Sequence, residues 1–209
     1  ILPSWHTQLD SCHAPSNDTN LVTTNHNAVD WASHTYYGDA SGGIDTSHKA
    51  LRRCGVGLAC YVNGSFRFGL HSNLPGKIQT VGRGELFALL LLTQRLKPLT
   101  ETEFVTDNRN VMKGYYNKMS AVNNADCDLY VQIFELIQEN QLEVSVRWMP
   151  SHLKEGIKVR PSSVSDLDIE ANDKADELAG KAAKLVQLSK AVTARFKYAI
   201  WLVKQIQLR

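Results

Sequence analysis

The sequence predicts an α/β fold in which a mixed five-stranded sheet, three antiparallel strands and then two parallel ones, carries helices on both faces. Three observations favour this class. Two β-rich runs flank an Asn-Gly pair at 63–64, the strongest short signal for a hairpin. Beyond residue 80, strand patterns alternate with helical patterns, which is typical of parallel crossovers. Hydrophobic residues make up 43% of the 209 residues, enough for a packed core.

The predicted strands are short β-branched or aromatic runs bounded by turn residues. In chain order they are HTYYGDA (34–40), CGVGLACY (54–61), FRFGLHS (66–72), EFVTD (103–107) and LEVSVRWMP (142–150). In the last of these, every second residue from Leu142 to Trp148 is apolar, so these side chains share one face of the strand.

The predicted helices follow the 3.6-residue period of apolar side chains. The segment 82–96 is apolar on nearly every side, which predicts a deeply buried helix. We expect a short helix over 108–116 and an amphipathic one over 125–141. From about Ala171 nearly to the end of the chain, the pattern predicts helix throughout.

Composition divides the chain into three parts. Residues 1–33 are rich in Asn, Thr and Ser with little periodicity, so we expect a polar arm or linker. Residues 34–184 carry the strand and helix patterns of one domain. Residues 185–209 extend it with an amphipathic, basic helix in which apolar side chains recur every three or four positions.

Charge and cysteine usage set outer limits on function. The formal net charge of +2 is compatible with nucleic-acid binding without arguing for it. The four cysteines, at 12, 54, 60 and 127, lack a paired metal-ligand spacing, and we interpret them as reduced thiols of an intracellular protein. The first ten residues lack the basic and apolar regions of a secretory signal. No apolar run is long enough to cross a bilayer, so we expect no membrane partner.

Two aspartates stand where predicted strands end. Asp39 follows the aromatic run of TYYGDASGG among small residues, and Asp107 closes EFVTD just before a helix. Each has an ordinary explanation, because Asp is common in turns and at the N-cap of a helix. Open α/β sheets also bind ligands beyond the carboxyl ends of their strands, so a functional interpretation stands beside the structural one.

Two further acids lie on predicted helices. Glu85 leads a stripe of leucines, where a buried and unpaired carboxylate costs several kcal/mol. The alternative is an exposed first-turn glutamate that suits the helix dipole. Asp176 follows Asn172 by one turn on a face of small and polar residues, which would allow a close approach to a backbone or a ligand. Alternatively, Asp176 is an ordinary surface residue.

Taken jointly, the four acids form a specific pattern in their order and in the elements that carry them. The stretches that contain it are YYGDASGG, GRGELFALL, FVTDNRNV, VRWMPSH and NDKADELAGKAA. From about Thr35 to Lys184, the chain resembles the type 1 ribonuclease H (RNase H) family. In detail it is most similar to the RNase H domains of non-LTR retroelement reverse transcriptases.

The resemblance implies an RNase H-like fold and a Mg²⁺-dependent endonuclease that hydrolyses the RNA strand of RNA/DNA hybrids. It implies that two Mg²⁺ ions, with Mn²⁺ as a substitute, are held by Asp39, Glu85, Asp107 and Asp176. Asp39 would bridge both ions, and oxygen ligands suit such hard cations. His152 matches the family's mobile-loop histidine, thought to assist proton transfer or product release. The residues expected to contact the substrate and its 2′-hydroxyl groups are Ser41, Gly42, Gly43, Gly82, Arg83, Asn108 and Asn172.

Three features depart from the family pattern. Val81 and Gly82 stand where many members have an Asn pair, which bears on selectivity for hybrids. The segment 112–128 is short and has two cations, whereas many bacterial members carry a basic, Trp-rich protrusion there that serves phosphate binding. The polar segment between His152 and Asn172 is long, which predicts an inserted loop beside the site.

The basic C-terminal helix is longer than the family domain needs. It folds back on its own domain, binds a reverse transcriptase or another protein, or contacts nucleic acid. Together with the missing protrusion, it fits a domain that is part of, or derived from, a retroelement polyprotein.

Two other functions stay open. A domesticated RNase H-like subunit with a structural or nucleic-acid-binding role in a larger assembly would explain the arm and the long helix. A pure scaffold, however, has no physical need for clustered acids. A nuclease of the same fold that acts on DNA, such as an integrase or resolvase, is disfavoured by the MPSH and NDKADELAG stretches.

Overall fold

A computed structural model describes residues 19–23, 29–118, 121, 125–151, 153 and 160–208. The strands are β1 (Thr19–Thr23), β2 (Thr35–Ser41), β3 (Gly55–Val62), β4 (Ser65–Asn73), β5 (Glu101–Thr106) and β6 (Glu143–Trp148). The helices are α1 (Val81–Thr93), α2 (Arg109–Tyr116), α3 (Cys127–Glu139), α4 (Asp166–Leu185) and α5 (Lys190–Gln207). The strands form one sheet in the order β1-β4-β3-β2-β5-β6.

The pairing of the strands confirms the predicted mixed sheet. β2, β3 and β4 are antiparallel neighbours, whereas β5 pairs in parallel with both β2 and β6. The sheet has six strands and not the predicted five. The additional strand, β1, pairs antiparallel with β4, from Thr19 opposite Ser72 to Thr23 opposite Phe68. β1 comes from the segment expected to be a polar arm. Its side chains are exposed or half-buried, so the sequence lacks the apolar alternation that would predict a strand.

The turn between β3 and β4 confirms the predicted hairpin. Asn63 and Gly64 have φ angles of 50° and 76°. A two-residue turn of type I′ needs a positive φ at both positions, which Asn and Gly tolerate better than other residues. The hairpin therefore follows directly from this dipeptide.

Two apolar clusters pack on the two faces of the sheet. Side chains of a strand alternate between faces, so Tyr36 and Phe104 lie in the larger cluster, together with the leucines of α1 and apolar residues of α3. Tyr37 and Val105 lie in the smaller cluster with α4. The predicted deep burial of α1 is confirmed, because every residue from 84 to 93 is buried.

The last two helices differ from the continuous helix that the pattern predicts. α4 begins earlier than expected, at Asp166, where Ser165 and Asp168 form a capping box. The helix then ends at Leu185. Ser189 starts a new helix, because its side chain accepts a hydrogen bond from a backbone N–H of the first turn of α5.

The described cysteines, Cys54, Cys60 and Cys127, are free thiols. Burial raises the pKa of Cys54 to about 11 and that of Cys60 to about 12, so both are protonated at neutral pH. Cys12 lies outside the described residues. Among the described helices, none combines the length and the apolar character needed to span a bilayer.

Candidate active site

The parallel pairing of β2 and β5 brings Asp39 and Asp107 side by side. Gly38 lies opposite Thr106 in the register of the two strands, and each aspartate is the next residue along its chain. Parallel strands end at the same edge of a sheet, so both carboxylates lie at the carboxyl edge. The Trp148 indole Nε1 donates a hydrogen bond to the backbone carbonyl of Asp107 at 2.9 Å and fixes this strand end.

Glu85 reaches the same edge from α1. Gly84 permits the approach, because a Cβ at this position would lie 2.6 Å from the Cβ of Ala40. Glu85 is 2% exposed. Its Oε2 accepts a hydrogen bond from Thr106 Oγ1 at 3.2 Å, and its Oε1 accepts one from the Ala40 backbone at 3.3 Å. The alternative of an exposed first-turn glutamate is therefore wrong.

Three carboxylates from three separate elements form one close group. One oxygen each of Asp39, Glu85 and Asp107 lies within 4.8 Å of the others. The three side chains line a cavity of about 350 Å³, and Asp176 lines the same cavity from α4. The structure thus gathers all four predicted acids around one cavity, three in a close group and the fourth, Asp176, as an exposed side chain.

The small residues of α4 set the position of Asp176 and Asn172. Gly57 of β3 allows the helix to pack backbone against backbone, because a Cβ there would lie 2.1 Å from the Ala175 carbonyl oxygen. Asn172 is buried and lines the cavity. Its Oδ1 has no hydrogen-bond partner among the described residues. This amide oxygen is therefore available to accept a hydrogen bond from a ligand.

Two acids of the close group, Asp39 and Glu85, have no cationic partner among the described residues. In the described part of the chain, no lysine or arginine forms a salt bridge with Asp39 or Glu85. Burial, and then the charges of Asp107 and Asp176, raise the pKa of Asp39 to about 7. Burial, followed by the charges of Asp39 and Asp107, raises the pKa of Glu85 well above its ordinary value.

This donor set fits a hard divalent cation. All of its ligand atoms are carboxylate oxygens, which such cations prefer in proteins. A cation would favour the ionised form of acids whose pKa values are raised by burial and by one another. The cluster of Asp39, Glu85 and Asp107 is therefore compatible with divalent metal binding.

A second group of acids, beneath the start of α4, is neutralised by the chain itself. Arg147 of β6 pairs with Glu103 of β5 (Nε to Oε1, 2.9 Å) and with Asp168 of α4 (Nη2 to Oδ1, 2.7 Å). The Tyr37 hydroxyl donates a hydrogen bond to Asp168 at 2.9 Å. Burial opposes ionisation of Asp168, but the hydrogen bonds from Arg147, Ser165 and Tyr37 outweigh it and lower its pKa to about 2.

The residues expected to contact substrate lie in several places. Asn108, the N-cap of α2, lines the acidic cavity together with Asn172. Gly82 lines a separate cavity of about 210 Å³, whose wall also includes Asn108. Ser41 ends β2 two residues after Asp39, and the loop that follows begins with Gly42 and Gly43.

Arg83 lies away from the acidic cavity. Its guanidinium forms salt bridges with Asp126 and Asp128 near the start of α3, and it lines a different cavity, between α1 and α3. Its Nη1 and Nη2 atoms donate hydrogen bonds to these two aspartates. His152 lies outside the described residues.

Sequence reasoning missed several residues at the site. Arg109, Ser151 and Asp173 line the acidic cavity, and the Arg109 guanidinium lies over the Trp148 ring at 5.4 Å. The hydroxyl of Thr106, the last residue of β5, donates a hydrogen bond to the Glu85 carboxylate. The one sequence signal for Thr106 and Arg109 is their position within two residues of Asp107.

Comparison with known proteins identifies the fold. No protein-family model and no curated protein matches the sequence. Among solved structures, LC9-RNase H1, a type 1 RNase H with the type 2 active-site motif, matches with a TM-score of 0.56 at 16% identity, over 78% of this chain and 77% of that one. The PFV RNase H domain matches with a TM-score of 0.55 at 17% identity, over 73% and 95% of the two chains.

A larger protein contains a similar unit. The foamy viral protease-reverse transcriptase, in complex with RNA/DNA hybrid, matches with a TM-score of 0.52 at 12% identity, over 81% of this chain and 22% of that one. At such low identities the likeness concerns the backbone fold. The order of strands, the mixed sheet and these matches together show that this chain has the ribonuclease H-like fold.

Proposed function

We propose that this protein is a Mg²⁺-dependent endonuclease that hydrolyses the RNA strand of RNA/DNA hybrids. The observation that carries the proposal is the close group of Asp39, Glu85 and Asp107, with Asp176 on the wall of the same cavity. Because one fold hosts many functions, the acids and not the fold carry the argument for nuclease chemistry. The likeness to RNase H proteins supports the choice of substrate.

The acids have distinct roles in this proposal. Asp39, Glu85 and Asp107 would hold one Mg²⁺, and Asp39 with Asp176 would hold the second. Two bound Mg²⁺ ions supply an activated water and neutralise the charge of the leaving 3′ oxygen. Asp39 is the shared ligand in this proposal because the resemblance to the RNase H family implies it; in the structure Asp39 lies in the close group and, like Glu85 and Asp107, lines the cavity that Asp176 also lines.

The surrounding residues keep the acids in place before the metal arrives. The Ala40 backbone N–H donates hydrogen bonds to Asp39 at 2.7 Å and to Glu85 at 3.3 Å. Thr106 holds the second oxygen of Glu85. Such support reduces the reorganisation that binding and reaction require, as second-shell contacts do in metal sites generally.

Two amides on the cavity wall suit the recognition of RNA. RNA differs from DNA by its 2′-hydroxyl, which both donates and accepts hydrogen bonds and lies in a wide, shallow groove of the duplex. Asn172 offers an unpaired Oδ1 as an acceptor. Asn108 uses its Oδ1 to accept from the Asn110 backbone at 2.9 Å, so its Nδ2 is oriented as a donor. The Ser41–Gly43 segment follows Asp39 at the end of β2.

We further propose that residues 34–184 form a nuclease domain of a retroelement reverse transcriptase of the non-LTR class. The quoted motifs support this origin, and a unit of similar fold lies within the foamy viral reverse transcriptase. In this setting the polymerase part of the protein would deliver the hybrid. His152 would assist proton transfer or product release.

A cleavage assay tests the proposal directly. The protein is incubated with a labelled RNA/DNA hybrid, an RNA duplex or a DNA duplex, in Mg²⁺, Mn²⁺ or EDTA. We expect hybrid cleavage with either metal, no cleavage in EDTA, and none of the two other duplexes. Folded protein that cuts no hybrid at any concentration of Mg²⁺ or Mn²⁺ would contradict the enzyme assignment and favour a structural or binding subunit.

A pair of substitutions links the activity to the site. Asp39→Asn removes the shared ligand and should abolish cleavage. Asp173→Asn changes a neighbouring exposed acid that lines the same cavity but lies outside the close group. It should retain most of the activity, so equal losses in the two variants would argue against the assigned ligand set.

A further inference from the structure

The helix α5 is attached to the loop that follows the site. The Lys197 ammonium pairs with Asp45 at 2.5 Å, and the ring of Phe196 contacts that of His48 at 5.9 Å between centroids. Just before α5, Gln187 accepts a hydrogen bond from the Ile44 backbone at 3.3 Å. The first half of α5 is therefore held against residues 44–48, directly after the segment Ser41–Gly43.

One side of α5 is a basic and aromatic stripe. Lys190, Lys197 and Lys204 are seven residues apart, so they lie on nearly the same side of the helix and about 10 Å apart along its axis. Trp201 lies between the last two on this side and is 53% exposed. The Tyr198 ring stacks on the Trp201 ring at 5.7 Å. Because Lys197 contacts Asp45, the stripe lies on the side of α5 next to the loop.

Most of the positive charge around this stripe has no acidic partner among the described residues. The segment 189–208 contains no Asp or Glu. Five cations lie between Lys184 and Lys204, and among the described residues Lys197 alone forms a salt bridge. Elsewhere, Arg83 and Arg147 are each paired with two acids. The solvated positive charge on α5 is therefore available to an anionic partner.

We propose that α5 extends the substrate-binding surface and holds the phosphate backbone of the hybrid outside the segment being cut, an inference that rests on the proposed function. Lys190 and Lys204 contact phosphates, and Trp201 packs against the sugars between them. Phosphate contacts dominate nucleic-acid affinity, and aromatic side chains interleaved with cations are typical of nucleic-acid surfaces. The helix thus supplies a basic, phosphate-binding surface in place of the protrusion that the short 112–128 segment lacks.

A protein partner is less well matched to this stripe. The apolar side chains Leu202, Val203 and Ile206 are each two residues from Trp201 or Lys204, which places them on the opposite side of the helix. A surface that docked on those residues would leave the cations of the stripe free. A polyanion that continues from the active site past this loop runs toward the stripe, because the start of the stripe and the Ser41–Gly43 segment flank the same loop.

Equilibrium binding to a defined hybrid tests this inference. The probe is a fluorescein-labelled 20-base-pair RNA/DNA hybrid, and anisotropy is measured between 50 and 200 mM salt on protein carrying Asp39→Asn, so that cleavage does not intervene. The double variant Lys190→Gln/Lys204→Gln is compared with Lys97→Glu. Both change the net charge by two units, but Lys97 lies before β5, at the opposite end of the sheet from the site, and pairs with Asp30.

The salt dependence gives the readout. Each lost phosphate contact lowers the slope of log K against log salt by about 0.9, so the double variant should lose nearly two units of slope and bind at least about tenfold more weakly at 100 mM salt. Lys97→Glu should keep the parent slope. Trp201→Ala should weaken binding with no change of slope.

Two outcomes separate this inference from the proposed function. If the parent protein binds the hybrid and the double variant has the same affinity and slope as Lys97→Glu, α5 makes no phosphate contact and the inference is overturned. If the parent protein does not bind the hybrid at all, the proposed substrate itself fails. Circular dichroism melting curves verify that the variants are folded, as expected for exposed side chains.

Discussion

Two groups of acids, each with one member on β5 or directly after it, differ in how their charge is balanced. Glu103 and Asp168 share the Arg147 guanidinium, and the pKa of Asp168 falls to about 2. Asp39 and Glu85 have no salt bridge within the described chain, and the pKa of Asp39 rises to about 7. Both groups are built from a strand pair and an adjoining helix.

The difference teaches how to tell a structural acid from a functional one. A buried acid that is paired with a cation of its own chain leaves no uncompensated charge in the fold, because the pair is complete when the chain has folded. A cluster of buried acids without a cation costs stability until an external cation binds. The first group therefore holds the start of α4 in place, and the second is available for a metal.

The largest expected effect comes from removing a ligand of the close group. Asp107→Asn keeps the size of the side chain but removes its charge. Metal stabilisation of a transition state is worth several kcal/mol, so hybrid cleavage should fall by about a thousandfold or more. Single-turnover cleavage at saturating Mg²⁺ measures this. Activity within tenfold of the parent would show that Asp107 is not a metal ligand.

The next effect comes from removing the cation that neutralises Glu103 and Asp168. Arg147→Met removes the cation but keeps an apolar stem, and it leaves Glu103 and Asp168 close together without a partner. Breaking such a half-buried pair should lower the free energy of unfolding by about 2 kcal/mol. Urea unfolding in EDTA measures the loss.

The conservative variant Arg147→Lys is the control for this prediction. It restores the charge but not the forked hydrogen bonds, so it should recover part of the lost stability. An unfolding free energy unchanged in Arg147→Met would mean that this group does not anchor α4, and that the contrast between the two acid groups does not hold.

A smaller effect concerns the support of Glu85. Thr106→Val keeps the shape of the side chain and removes the hydroxyl that donates to Glu85. Loss of a supporting contact in a metal site lowers affinity or activity by roughly 10- to 100-fold. We expect a higher Mg²⁺ concentration for half-maximal cleavage.

Thr102 provides a matched control on the same strand. It is also buried, but its hydroxyl donates to the His34 backbone carbonyl at 2.5 Å, at the other end of β5. Thr102→Val should leave the Mg²⁺ requirement unchanged. A similar increase in both variants would assign the effect to the strand in general and not to Glu85.

The sequence was sufficient for most of the fold because its signals are local. The Asn63–Gly64 turn, the alternation in β6 and the all-apolar α1 each follow from residues within one element. The four acids were recognisable because Asp39 and Asp107 follow strand patterns, Glu85 heads an apolar stripe, and Asp176 lies on a helix face of small and polar residues. Their gathering around one cavity depends on the register of β2 with β5, which no local pattern contains.

The features that the sequence did not predict depend on contacts between distant segments. β1 exists because β4 offers a free edge, and its own residues are mostly polar. The Arg147 group joins residues from β2, β5, β6 and α4, so its members look like ordinary surface charges in the sequence. The break between α4 and α5 was signalled by Ser189, but a serine within a helical pattern is a weak signal by itself.

The central claim, that the close group is a site for an external cation, is also a claim about pH. Folding raises the pKa of Asp39 from 3.8 to about 7, so the folded protein favours the protonated form. The stability that this group contributes is complete below about pH 4 and is lost as the pH rises through 7. At about 1.4 kcal/mol per pKa unit, the loss amounts to at most about 4 to 5 kcal/mol.

Thermal unfolding at pH 5 and pH 8, with EDTA or Mg²⁺, tests that claim most directly when the parent protein is compared with Asp39→Asn. We predict that in EDTA at pH 8 Asp39→Asn unfolds several degrees above the parent, and that the difference shrinks at pH 5. Mg²⁺ at pH 8 should raise the Tm of the parent and leave that of Asp39→Asn nearly unchanged. A parent Tm that does not respond to Mg²⁺, with the same pH dependence in both proteins, would contradict the account.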